Sequence, residues 1–124
     1  MPDASWFTQA RFGLFVHFGL YSTAARHEWV QTYEQLTPEQ YQPYFDHFEP
    51  DRFDASDIAA TARRAGAGYV VLTTKHHEGF SLWDTALSDF SAPAACGRDL
   101  VAEFVEAVRA AGLRVGFYHS LLDW

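Results

Sequence analysis

The chain has 124 residues, a formal net charge of −7 and a single lysine, Lys75. That balance argues against a nucleic-acid partner and against an anionic membrane, since both need a basic surface. Apolar residues make up 48% of the chain and a lone cysteine, Cys96, rules out an intrachain disulfide, so one folded domain over residues 1–124 is expected.

In chain order, the N-terminal stretch MPDASWFTQARFG lacks the apolar core of a signal peptide. A cytoplasmic location is the default, with a leader already removed as the alternative. No apolar run is long enough for a transmembrane helix. RFGLFVHFG (Arg11 to Gly19) then alternates as a strand does, with Phe12, Leu14, Val16 and Phe18 on one face and Gly13, Phe15 and His17 on the other. Thr37-Pro38-Glu39-Gln40 has the form of a capping box, opening a helix that Pro43 should cut short. Asp54 can cap a helix over about Ala55 to Ala65 that Gly66 ends.

GYVVLTT (Gly68 to Thr74) is a continuous apolar run, as in a strand covered on both sides. Asp99 can cap a third helix, whose Leu100, Phe104 and Val108 fall on one stripe before Gly112. LRVGFYHS (Leu113 to Ser120) is the last strand. Strands alternating with helices imply a parallel βαβαβ sheet, whose ligands bind outside the carboxyl ends of the strands.

That edge is where histidine gathers. His17 ends the first strand, His76 and His77 follow the second, and His119 ends the third. Any one of them could be an ordinary hydrogen-bonded histidine. Three segments delivering histidine to one edge favour a site. Metal ligation is one reading, but adjacent residues on a strand face opposite ways and no HxH, HExxH or cysteine pair is present. No metal and no other cofactor is expected. Sugar recognition is the other reading. His, Glu and Trp combine polar tips with flat apolar faces. Glu28-Trp29 follow the first strand, and Phe80 and Trp83 add aromatic area, although Trp83 could simply pack its loop.

FGLFVHFGLYS, EWV, AGAGYVVLTTKHHEGFSLWD and LRVGFYHSLLDW together resemble the N-terminal part of the family 29 glycoside hydrolases, the α-L-fucosidases. The resemblance runs from about Trp6 to Trp124, and KHHEGF is its most specific block. It implies a partial (β/α)8 barrel, retaining hydrolysis of terminal α-L-fucose, and fucosylated glycans or glycosides as partners. His17, Glu28, Trp29, His76 and His77 match positions that hold the sugar in that family. A tyrosine near the end of the third strand is also used there, and either Tyr118 or His119 could occupy that place. The family's nucleophile and acid/base come after further strands.

A complete barrel has eight strands and typically about 250 residues. The carboxylates at this edge are Glu28, Glu78 and Asp123, the candidates for any catalytic role, while retention needs two carboxyls about 5–5.5 Å apart. Three functions therefore compete: a reduced fucosidase with its carboxylates rebuilt at an oligomer interface, a non-catalytic fucose-binding or vestigial fragment, and a metal-dependent hydrolase. Three strands also leave open edges and an uncovered inner face, so a homo-oligomer, most simply a dimer, is expected to cover them.

Overall fold

A computed structural model describes residues 3–124. Its elements run α1 (Ser5–Ala10), β1 (Gly13–Val16), α2 (Tyr21–Ala24), α3 (Val30–Tyr33), α4 (Pro38–Asp46), α5 (Ala55–Arg64), β2 (Tyr69–Lys75), α6 (Ala92–Cys96), α7 (Leu100–Ala110) and β3 (Arg114–His119). The three strands form one parallel sheet in the order β1-β2-β3. No helix among the described residues is long and apolar enough to cross a membrane.

The helix starts follow from their caps. Thr37 and Gln40 make the reciprocal capping box, and Asp54 and Asp99 accept from the N–H groups of Asp57 and Ala102. Pro43 does not stop α4, which runs on to Asp46. The carbonyl that loses its helical donor belongs to Glu39, an exposed residue, where that loss costs least. The four short helices α1, α2, α3 and α6 escape sequence reading because four to six residues carry no amphipathic period.

The first strand is shorter than the alternation of Arg11 to Gly19 predicts. Arg11 takes a positive φ of 56°, which turns the chain before Gly13. At the other end, Thr73 replaces the ladder: its Oγ1 accepts from Phe18 N–H at 2.9 Å and donates to Phe18 O at 2.5 Å. His17 and Phe18 thus leave the strand while remaining tied to β2.

The register puts Leu14, Val70 and Val115 side by side on one face, followed by Val16, Leu72 and Phe117. Helices α5 and α7 pack there and against each other. Val70, Leu72, Leu100, Phe104 and Val108 are all fully enclosed. The opposite face carries Phe15, Val71 and Gly116 and stays open, with Phe15 51% exposed. The apolar run of β2 is therefore covered on one side by helices and only partly on the other. Gly13 is required on that open face, because a Cβ there would overlap the Tyr69 ring.

Candidate functional site

Site geometry begins with a bulge. Thr73 pairs with Tyr118 and Lys75 with His119, so β2 carries one extra residue, Thr74. The strand ends at Lys75, and His76, His77 and Glu78 form a turn closed by Gly79 N–H on His76 O at 3.1 Å. Gly79 has a φ of 85°, which suits glycine. This turn removes the objection that adjacent histidines face apart: the His76 and His77 ring centroids lie 4.5 Å from each other.

Around them the aromatic rings converge. His76 lies 5.2 Å from His17, 5.4 Å from Tyr21 and 5.9 Å from Tyr118, whose ring is stacked on it. His77 lies 5.3 Å from Trp29 and 5.3 Å from Trp124. Phe15 reaches His17 and Tyr118 from the open face of the sheet. Trp29 is also backed by Tyr33, stacked at 5.9 Å. Half-buried Glu28 borders a hollow of about 230 Å³ with His17 and Tyr21.

Hydrogen bonds assign the ring nitrogens of His77. Ser120 Oγ donates its one hydrogen to Leu122 O at 2.8 Å, so at its 2.5 Å contact with His77 Nδ1 it accepts. In its neutral form His77 therefore carries its hydrogen on Nδ1, which leaves Nε2 as the acceptor. The same reasoning makes Tyr21 the donor to Thr73 Oγ1, whose own hydrogen goes to Phe18 O.

The other predicted residues fall elsewhere. Tyr118 faces the imidazoles, whereas His119, one residue on, turns to Thr74 Oγ1 at 3.1 Å and to Trp83 at 5.4 Å. Trp83 and His119 line a separate hollow of about 280 Å³ with Lys75 and Asp123. Asp123 is ion-paired with Lys75. Phe80 offers no stacking surface. It is 1% exposed and packs among Phe45, Phe48 and Phe90. The Glu78 side chain is 1% exposed and lies beneath His76. Tyr21, Ser120 and Trp124 join the cluster around His76 and His77 without having been foreseen. Tyr21 follows the first strand with no spacing signal, and the roles of Ser120 and Trp124 depend on how the chain folds back over His77. A further hollow of about 360 Å³, lined by Phe18, Phe48 and Phe53 together with His47, Glu49, Asp51 and Arg52, contains none of the clustered rings.

Among the described residues, no three His, Cys, Asp or Glu side chains are grouped to hold a metal ion. The metal-hydrolase reading has no support in this geometry.

Desolvation by the surrounding rings is the main influence on His17 and lowers its pKa. Glu28 and Glu78 oppose that shift and His76 adds to it. His17 is thus expected to titrate below about 6.5, the ordinary imidazole value. An unfolded chain takes up this proton first on acidification. The contribution of His17 to stability is therefore complete above about 6.5 and is lost as pH falls toward its folded value. Glu28→Gln removes a charge that favours the imidazolium, so the His17 midpoint should drop further. NMR titration of the His17 Cε1–H resonance checks this, and a midpoint raised by the variant contradicts it.

Three parallel strands with helices between them, and a ring cluster at their carboxyl ends, define a segment of a (β/α) barrel with its site at the usual edge. The family model for alpha-L-fucosidase matches residues 1–124, and the chain belongs to that family. It is 49% identical to alpha-L-fucosidase isoenzyme 1 from Paenibacillus thiaminolyticus, superposing with a TM-score of 0.93 over 97% of this chain and 29% of that one. It is 35% identical to the Thermotoga maritima alpha-fucosidase in complex with fucose, with a TM-score of 0.80 over 97% of this chain and 35% of that one. The tissue alpha-L-fucosidase of Mus musculus is 40% identical over 99% of this chain. The chain spans about three-tenths of the length of the curated relatives it matches, 31% in the mouse protein.

Proposed function

We propose that this chain recognises a terminal α-L-fucose and supplies the sugar-holding part of a fucosidase site, without its catalytic pair. The observation that carries the reading is the convergence of the His17, His76, His77, Trp29 and Tyr118 rings, with Glu28 beside them, at one end of the sheet. Imidazole nitrogens and a carboxylate answer the hydroxyls of a pyranose, and the aromatic rings answer its apolar face. The T. maritima relative is described in complex with fucose, which supports the choice of sugar.

Retaining hydrolysis needs two carboxyls on either side of the bond. Glu78 is sealed from the surface and Asp123 is tied to Lys75 beside a different hollow, which leaves Glu28 alone. Binding without turnover follows for these 124 residues. Chemical-shift titration with L-fucose should perturb the site imidazoles, while 4-nitrophenyl α-L-fucoside should release no nitrophenol. Saturating fucose without any shift would remove the reading. Nitrophenol release lost on Glu28→Gln would favour the hydrolase instead.

Self-association belongs to the same proposal. Edge strands β1 and β3 and the 51% exposed ring of Phe15 on the open face favour pairing between copies. Sedimentation equilibrium at micromolar concentration should show a dimer, and monomer alone would refute it.

A further inference from the structure

Glu78 is the one acidic residue buried among the described residues, and its side chain is 1% exposed. Neither of its carboxylate oxygens has a hydrogen-bond partner. No lysine or arginine pairs with it. The nearest candidate is His76, whose Nδ1 lies 3.5 Å from Glu78 Oε2 and is itself enclosed and partnerless. A carboxylate and an imidazole nitrogen, both stripped of water and facing each other, satisfy one another by sharing a hydrogen. The distance is at the long end of a hydrogen bond, and a small rotation of either side chain closes it. The Tyr41 hydroxyl is likewise enclosed without a partner, and burial first, then the Glu78 charge, raises its pKa. Donors without acceptors and an acceptor without donors thus occupy the same buried region.

We propose that Glu78 is a positioning residue for His76, its carboxylate accepting the Nδ1 hydrogen so that Nε2 is left as an acceptor toward the open face. The His76 ring is held from other sides by Tyr21, His17 and Tyr118, so the carboxylate needs only to select the tautomer and the ring flip. His77 reaches the same state through Ser120. Two adjacent imidazoles then present two lone pairs to the hydroxyl hydrogens of one ligand. This use of the tautomer rests on the fucose reading above. The tautomer itself does not.

Long-range 1H–15N spectra of histidine-labelled protein at neutral pH test the assignment. His76 should carry its hydrogen on Nδ1 in the unaltered chain. Glu78→Gln, whose amide oxygen can still accept, should retain that tautomer and L-fucose affinity within about threefold. Glu78→Leu should release it to the Nε2–H form and weaken L-fucose binding about tenfold, the equivalent of one ordinary hydrogen bond. Nε2–H on His76 in the unaltered chain overturns the proposal, and this spectrum decides even if Glu78→Leu fails to fold. An Nδ1–H tautomer that persists in folded Glu78→Leu overturns it too. A tautomer change in a protein that never binds fucose upholds the positioning role and rejects the sugar.

Discussion

Phe104→Ala is expected to lower stability by about 3–5 kcal/mol, the usual cost of truncating a buried phenylalanine. Phe104 is 0% exposed and sits on the stripe of α7 that packs against β2, β3 and α5. Truncation there removes apolar area from the core and leaves a cavity that Leu72, Leu100 and Val108, all enclosed, have little freedom to fill. An ordinary domain has about 5–15 kcal/mol in total, so this loss consumes much of it. Phe117→Ala provides the contrast. Phe117 lies on the same face of the sheet but at its edge strand, and it is 53% exposed. Its truncation should cost under about 1 kcal/mol. Urea unfolding followed by circular dichroism compares the two. Equal shifts in midpoint would mean that the helix-covered face is not the core.

His77→Ala should weaken L-fucose binding by about tenfold to a hundredfold, combining one lost hydrogen bond with lost ring contact. The His77 ring packs against both Trp29 and Trp124, which also touch each other, and its Nδ1 is anchored on Ser120, so the ring is aimed before any ligand arrives. Trp29→Ala should act in the same direction, because Trp29 forms the wall beside His77 and is itself held by Tyr33. His119→Ala should leave affinity nearly unchanged, since that ring is turned to Thr74 and Trp83. Calorimetric titration measures all three. An effect of His119→Ala as large as that of His77→Ala would move the sugar to the hollow beside Trp83.

This contrast between His77 and His119 shows where sequence reasoning reaches its limit. By alternation, only one of Tyr118 and His119 can face the inside of a barrel, but the alternation does not say which. The choice depends on which face of β3 the helices cover: Val115 and Phe117 align with Val70 and Leu72 on the covered face, so Tyr118 falls on the open one. The convergence of His76 and His77 was equally out of reach: both read as following the strand, but only the turn closed by Gly79 N–H on His76 O brings their rings together. Glu78 reads in sequence as one more carboxylate near the site. Only its enclosure under His76 separates a positioning role from a catalytic one.

What the sequence determined by itself was local and periodic. Caps at Thr37, Asp54 and Asp99, the stripe Leu100-Phe104-Val108 and the order of strands and helices are written in spacing and in short-range hydrogen bonding, so they could be read directly. The four segments FGLFVHFGLYS, EWV, AGAGYVVLTTKHHEGFSLWD and LRVGFYHSLLDW, with KHHEGF the most specific block, likewise pointed to the family that the family model matches. The tertiary structure decided everything that depends on residues distant in the chain. It tied Phe18 to Thr73, set Ser120 against His77, folded Trp124 over the imidazoles and buried Glu78. Such contacts arise from the packing of separate segments against one another. No periodicity within one segment encodes them.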